Sequence, residues 1–184
     1  SGGIMNLNYL TQDRDKKCIV VAKRHQSWLP NNIDELLNEL GKVEKRVGKF
    51  YKTYPCHLDL MIENIVGDKK KIKLLDWEYS SNSDYRFDLA MLSAKGNFNN
   101  KNDKLLLKEY GNTDNNLYNQ IQQMKAVVCF REAAWGLLQL AISKIKFDYK
   151  KYAVENLSLF RSFAAKASGQ KMEGFDGRKF FARE

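Results

Sequence analysis

The amino-acid sequence predicts an α+β domain that is mostly helical and contains one small β-hairpin. Apolar residues recur at helical spacing in long segments on both sides of the middle of the chain. Two short apolar runs, 62–66 and 72–75, lie between these segments. The turn-forming sequence Gly67-Asp68-Lys69 joins the two runs, so we expect them to pair as a hairpin.

The helices of the first half are predicted from their starts and their apolar spacing. Polar residues 11–17 are expected to open one helix. Asn32 and Glu35 form a box-like start for the next. The apolar residues of that second helix are Ile33, Leu36, Leu37, Leu40, Val43, Val47 and Phe50. Because its other face is charged, we expect this helix to pack as a scaffold element and to end before Pro55.

The second half is expected to continue with helices joined by polar loops. A turn-rich segment, 80–83, precedes a helix that Asp84 or Asp88 caps or braces. A polar loop over 95–103 and a short helix over 104–110 follow, the latter ended by a glycine. These assignments make the hairpin the main strand element of the chain.

The last third predicts the core of the domain. Thr113 or Asp114 begins a helix, and between 117 and 146 apolar positions are so dense that we expect it to be central and mostly buried. Asp148 is expected to cap a last long helix. The tail 168–184 contains glycines and charges and is expected to be loosely held.

Composition excludes several classes of protein. The chain has 184 residues, of which 43% are hydrophobic, which is enough for one domain with a core. No apolar run approaches the roughly 20 residues of a membrane span, and no secretory signal is visible. The net charge is +9, but no nucleic-acid recognition module is visible, so nucleic-acid binding is kept only as a further alternative. Three scattered cysteines, Cys18, Cys56 and Cys129, predict a reducing, cytoplasmic location.

Three polar side chains flank the predicted hairpin. Asp59 and Asn64 flank a short loop that leads into its first apolar run, and Asp76 follows the second run. A hairpin brings its two ends together, so these residues are expected at the same end. Two carboxylates and an amide form an oxygen-rich set that suits Mg²⁺. Magnesium there can bridge phosphate oxygens while the other acid accepts a proton from a hydroxyl; the alternative is that these residues only form turns and caps.

The same stretch resembles the catalytic loop and the metal-binding acid of kinases. His57-Leu58-Asp59 and Asn64 have the spacing H-x-D-x-x-x-x-N, and Asp76-Trp77-Glu78 and Phe87-Asp88-Leu89-Ala90 follow. The sequence is similar here to the choline/ethanolamine kinase and aminoglycoside phosphotransferase group. Residues 135–153 resemble choline and ethanolamine kinases more than aminoglycoside phosphotransferases. The resemblance covers about residues 4–167.

This resemblance implies the carboxyl-terminal lobe of a protein-kinase-like fold. Residues 4–10 would be the hinge segment, and 55–90 would be the catalytic and metal-binding loops. Nothing ahead of Asp59 resembles the phosphate-covering loop and the lysine of an amino-terminal ATP-binding lobe, so we expect that lobe to be absent. The truncated chain is then expected to be poorly active alone, and a separate amino-terminal lobe or a homodimer would be its protein partner.

The implied reaction is ATP-dependent transfer of phosphate to the hydroxyl of choline or a related small amino alcohol, a step of phospholipid metabolism. Asp59 would be the catalytic base, and Asn64 and Asp76 would hold Mg²⁺ against the phosphates of ATP. His57 and Asp88 would give structural support to the catalytic loop.

The resemblance also implies substrate-binding residues. Trp135 and Tyr79 match aromatic positions that surround a quaternary ammonium, and Glu78 and Trp77 are nearby candidates. Leu138 stands where eukaryotic members carry a second aromatic residue, so we expect a thinner cage. Two alternatives stay open. One is a kinase for ethanolamine, an aminoglycoside or a sugar; the other is a non-catalytic lobe that binds a ligand or a partner.

Overall fold

Helices make up most of the chain. The computed structural model describes residues 12–49, 52–68 and 70–169. Within these ranges the α-helices are α1 (Gln12–Arg24), α2 (Ile33–Val47), α3 (Tyr85–Lys95), α4 (Asn100–Glu109), α5 (Asn115–Ile142) and α6 (Tyr149–Ala167). No helix in the described ranges is both long enough and apolar enough to cross a bilayer.

Four three-residue strands form two separate antiparallel pairs. They are β1 (Tyr54–Cys56), β2 (Ile65–Gly67), β3 (Ile72–Leu74) and β4 (Ser81–Ser83). The β2–β3 pair is the predicted hairpin, with Ile65 opposite Leu74 and Gly67 opposite Ile72. A Cβ at Gly67 would meet the carbonyl oxygen of Lys71, so the turn requires glycine. The structure confirms the predicted fold class, α+β and mostly helical.

Helix α5 is the centre of the domain. It packs against α1, α2, α3 and α6, so almost every side of its middle is covered. Phe130 of α5 meets Phe160 of α6 edge to face, with ring centroids 5.0 Å apart, and both side chains are buried. This arrangement explains why the sequence is apolar around the whole helix rather than along one stripe, and it confirms the prediction of a central, buried helix.

Capping side chains set several helix starts. Asp84, Asp114 and Asp148 each accept a backbone N–H in the first turn of α3, α5 and α6, respectively. Asn32 stands at the start of α2, but its side chain makes no capping hydrogen bond, so the predicted box does not form. Of the two candidates for α3, Asp84 is therefore the cap, which leaves Asp88 available for other contacts.

Three sequence predictions need correction. Helix α4 begins at Asn100, inside the predicted loop 95–103, because the side chain of Asn99 accepts the N–H groups of Lys101 and Asn102. Helix α2 ends at Val47, where Gly48 follows with φ 75°, rather than continuing toward position 50. The predicted loop 80–83 contains β4, which pairs with β1.

Two predictions lie outside the described residues. These are the hinge segment, 4–10, and the loosely held tail beyond residue 169. The remaining elements place the loop after β1 and the segment after β3 next to helices α3 and α5, where the candidate site lies.

Candidate active site

The loop that follows β1 is held in an unusual conformation by helix α3. Leu58 has φ 62°, in the left-handed region that residues with a side chain adopt at a cost. The backbone N–H groups of His57 and Leu58 donate to the two carboxylate oxygens of Asp88, at 2.7 and 2.8 Å. Asp88 thus fixes the two peptide groups that lead to Asp59.

His57 joins this loop to the segment that follows β3. Its Nδ1 accepts the N–H of Asp59 at 3.3 Å, so Nε2 carries the proton and donates to the carbonyl oxygen of Leu75 at 2.8 Å. The ring also packs against Trp77, with centroids 4.6 Å apart. Both nitrogens of this buried imidazole are therefore engaged with the backbone.

Asp59 and Asn64 are in direct contact. The side-chain Nδ2 of Asn64 donates to the carbonyl oxygen of Asp59 at 2.9 Å and to its carboxylate Oδ2 at 3.2 Å. The backbone carbonyl of Asn64 accepts the N–H of Leu75 at 2.9 Å. The hairpin therefore brings Asn64, at its start, next to Leu75, the residue that precedes Asp76. This is the proximity that the hairpin pattern predicts.

Asp76 lies beside this pair without bonding to it. It is exposed, has φ 63° and directly follows Leu75, whose N–H and C=O are bonded to Asn64 and His57, respectively. Within the described chain its carboxylate makes no hydrogen bond to Asp59 or Asn64. The structure thus connects Asp76 to the other two residues through the backbone of its neighbour.

Burial and nearby charges act in opposite directions on the carboxyl group of Asp59. Burial raises its pKa above the ordinary value of 3.8, and the carboxylate of Glu132 adds to the increase. Arg131, Asn64 and His57 lower it, in decreasing order, but they do not cancel the increase. Asp59 therefore accepts a proton more readily than an exposed aspartate does.

The oxygen donors at this site suit a hard cation. Oδ1 of Asn64 takes part in neither of the bonds to Asp59, and the carboxylate of Asp76 is exposed. In the described residues no three His, Cys, Asp or Glu side chains cluster closely enough to enclose a metal ion. A small donor set of this kind fits Mg²⁺, which often keeps one or two protein ligands and completes its shell with phosphate and water.

The predicted substrate residues fall into two groups: Trp77, Glu78 and Tyr79 follow Asp76, whereas Trp135 lies on α5. Trp77 is 52% exposed, and its Nε1 donates to the carbonyl of Leu74 at 2.9 Å. Glu78 is exposed and adjoins the half-buried Tyr79; burial first, and then the charge of Glu78, raise the pKa of that tyrosine. Among the described residues no ring contact joins this group to Trp135.

Trp135 belongs instead to an aromatic cluster formed by α5, α6 and the loop between them. Its ring lies 5.8 Å from the centroids of both Tyr149 and Tyr152 in edge-to-face geometry. Phe147 contacts the same two tyrosines at 4.9 and 5.9 Å and is 54% exposed. Trp135 is only partly buried, so this cluster offers aromatic surface to solvent.

Comparison with known proteins identifies the family. A family model described as choline/ethanolamine kinase matches residues 5–105, more than half of the chain. The chain belongs to the choline/ethanolamine kinase family. The matched segment contains the Asp59–Asn64 pair, Asp76 and Asp88.

Curated relatives of this family member match over shorter segments. A LicA homolog of Metamycoplasma hominis is 36% identical over 76 residues, which cover 39% of this chain and 30% of that protein. A LicA homolog of Mycoplasma capricolum is 28% identical over 109 residues, covering 59% and 45%, respectively. The matched segments thus span less than half of the length of these relatives.

Solved structures show the kinase-like fold of this family member. A choline/ethanolamine kinase family protein from Mesorhizobium loti has a TM-score of 0.76 and 24% identity, over 99% of this chain and 61% of that one. Choline kinase LicA from Streptococcus pneumoniae has a TM-score of 0.69 and 22% identity, over 84% of this chain and 54% of that one. LicA has also been solved in complex with AMP. The fold is therefore that of the helical carboxyl-terminal lobe of a kinase-like protein, as the resemblance implied.

This member of the choline/ethanolamine kinase family also has polar residues near the site that the sequence reasoning missed. Buried Glu132 accepts a hydrogen bond from the hydroxyl of Tyr152 and lies 3.7 Å from Nζ of Lys95. Lys95 also donates to Tyr152 at 3.2 Å and to Asn156 at 3.0 Å. The charged pair at positions 131 and 132 interrupts an apolar run in a helix predicted to be buried, and this is the feature of the sequence that indicates buried polar contacts here.

Proposed function

We propose that this chain carries the phosphoryl-transfer site of a choline kinase-like enzyme. The reaction is ATP-dependent transfer of phosphate to the hydroxyl of choline or a related small amino alcohol. The observation that carries the proposal is the contact between the Asn64 amide and Asp59, inside the segment that matches the family. The AMP complex of LicA, a protein of similar fold, supports a nucleotide as the phosphate donor.

Asp59 is the proposed catalytic base. Its carboxylate keeps one oxygen clear of Asn64, so it can align a substrate hydroxyl and accept its proton. Burial raises the pKa of this carboxyl, which strengthens it as a base relative to an exposed aspartate. Asp88 and His57 hold the loop through its backbone, and this is the support we assign to them.

Asn64 and Asp76 are the proposed residues that hold Mg²⁺. Both present side-chain oxygens at the open end of the hairpin, and Asp76 is exposed to a ligand. When bound, Mg²⁺ neutralises charge on the phosphate oxygens of the nucleotide. The two side chains are therefore expected to affect nucleotide binding more than binding of the alcohol.

The cationic end of the substrate is proposed to bind aromatic faces. Trp135 contributes one face, and the cluster shows that Tyr149 and Tyr152 lie beside it. Tyr79, Trp77 and Glu78 belong to the segment after Asp76, and we assign them a second, smaller part of the substrate site. Each of these assignments can be tested separately by substitution.

The test is a phosphorylation assay with ATP and Mg²⁺ on a panel of choline, ethanolamine, an aminoglycoside and a sugar. We expect phosphocholine or phosphoethanolamine to form, slowly when the chain is assayed alone, and Asp59→Asn to reduce this rate further by at least about 100-fold. Asp114→Asn is the matched control, because asparagine also caps helices and Asp114 lies at the start of α5. A wild-type chain that binds nucleotide but phosphorylates none of these alcohols would instead support a non-catalytic binding lobe.

A further inference from the structure

We propose that Arg131 is a positioning residue that fixes the catalytic loop and the Trp77–Tyr79 segment to helix α5. This inference rests on the proposed function, because that function gives the loop its role. Arg131 does not belong to the pattern of residues that carries the family resemblance. It is assigned here from the contacts of its guanidinium group.

The first contact is with the peptide group that leads directly into Asp59. Nη1 of Arg131 donates to the carbonyl oxygen of Leu58 at 2.5 Å. The N–H of the same residue donates to Asp88. Leu58 is therefore held on its N–H side by α3 and on its C=O side by α5, while its backbone adopts φ 62°. Without the arginine, the Leu58–Asp59 peptide group would keep only the 3.3 Å bond from its N–H to Nδ1 of His57, so it could rotate out of this conformation more easily.

The second contact is with two aromatic rings. The guanidinium carbon of Arg131 lies 5.7 Å from the ring centroid of Tyr79 and 5.1 Å from that of Phe87. Tyr79 ends the short helical turn that follows Asp76, and Phe87 is a fully buried residue of α3. One side chain thus contacts both segments that carry the proposed chemistry.

The environment of Arg131 fits a positioning role better than a role in charge pairing. The residue is 8% exposed, and within the described chain no carboxylate lies at ion-pair distance from it, although its charge acts on Asp59 and Asp88 from farther away. A buried cation is costly, and here its hydrogen bond goes to a backbone carbonyl and its faces to rings. Arginine can donate this hydrogen bond and contact the rings at the same time because its donors lie in a rigid plane, whereas lysine offers a point charge.

The test measures loop order separately from activity. In Arg131→Met we expect amide hydrogen exchange of residues 57–59 to accelerate by at least about 10-fold, while exchange in the middle of α6 stays unchanged. In the phosphorylation assay kcat should fall by about 10- to 100-fold, with KM for ATP changed by less than about 3-fold. Arg131→Lys should keep part of both properties. Exposed Arg24→Met is the control for loss of a positive charge.

Unchanged exchange of residues 57–59 in both variants, or uniform acceleration throughout the chain, would overturn the assignment. If Arg131→Met does not fold, the same comparison is made with Arg131→Lys, in which exchange equal to that of the wild type overturns it. A wild-type chain without phosphotransferase activity contradicts the proposed function alone, because the exchange comparison still decides whether Arg131 orders the loop.

Discussion

At the scale of single residues, the site depends on two backbone positions with unusual conformations. Leu58 and Asp76 have φ of 62° and 63°, and each lies next to or at one of the proposed acids. Such conformations cost of order 1–3 kcal/mol and persist only where neighbours impose them. For Leu58 the neighbours are Asp88 and Arg131, which bond its N–H and C=O. For Asp76 the preceding residue, Leu75, is fixed, because its N–H is bonded to Asn64 and its C=O to His57.

Asp88→Asn is expected to destabilise the fold. The asparagine side chain has one acceptor oxygen where the carboxylate has two, so one of the N–H groups of His57 and Leu58 is left unpaired. We expect the free energy of unfolding at neutral pH, measured by urea denaturation, to fall by about 1–3 kcal/mol. The control is Asp68→Asn, since Oδ1 of the exposed Asp68 accepts both of its backbone N–H groups and asparagine retains that oxygen. Equal losses in the two variants would contradict the role assigned to the second carboxylate oxygen of Asp88.

The same carboxyl group predicts a dependence of stability on pH. Burial raises the pKa of Asp88 above its ordinary 3.8, against the opposing effects of its two backbone hydrogen bonds. The part of the stability that comes from this raised pKa is therefore complete below 3.8 and is lost as pH rises through the folded-state pKa, whereas the two backbone hydrogen bonds remain at neutral pH. We expect the stability of the wild type relative to Asp88→Asn to decrease as pH rises from below 3.8 toward neutral. Urea denaturation across this pH range measures the difference in free energy of unfolding between the two proteins. A difference that increases with pH would contradict the prediction.

At the scale of elements, α5 carries both the packing core and buried charge. Lys125 is 1% exposed and lies 2.5 Å from the carboxylate of Asp103, which also accepts bonds from Ser93 and Gln122. This cluster joins α5 to α3 and α4. Polar residues can occupy these buried positions because each one is hydrogen-bonded to a residue of another helix.

Lys125→Met is expected to lower the free energy of unfolding by about 3–5 kcal/mol, because it leaves the carboxylate of Asp103 buried without its cation. The double variant Lys125→Met/Asp103→Asn should recover a large part of this loss. Lys23→Met is the control, since the Lys23–Asp34 pair is exposed and contributes at most about 1 kcal/mol. The measurement is urea denaturation; a single variant as stable as this control would show that the buried pair is not needed.

The elements differ in how well the sequence predicts them. The hairpin and α5 follow from local patterns: two short apolar runs around Gly67, and an apolar surface too broad for one face. The β1–β4 pair could not be predicted, because Pro55 and the serines of β4 have low strand preference and pair only across the folded chain. The early start of α4 depends on the side-chain bonds of Asn99, which its polar composition does not distinguish from a loop.

At the scale of the whole molecule, the sequence predicts which residues are candidates for the site, and the structure shows how they are held. Spacing and family resemblance select Asp59, Asn64 and Asp76, and tertiary contacts add the residues behind them. Arg131 and Glu132 could not be assigned from sequence, because a charged pair within a buried helix gives no local indication of which loop it faces. Their neighbours come from the loop after β1, from α3 and from α6, which are distant in the chain.

The central claim is that Asp59, Asn64 and Asp76 form one magnesium-dependent phosphoryl-transfer site. Calorimetric titration of ATP, with Mg²⁺ and with a chelator, tests it most directly on the wild type, Asp76→Ala and the helix-cap control Asp114→Asn. We predict that Mg²⁺ strengthens ATP binding to the wild type and to the control, and that Asp76→Ala abolishes this dependence. ATP binding by Asp76→Ala with the same magnesium dependence as the wild type would contradict the account.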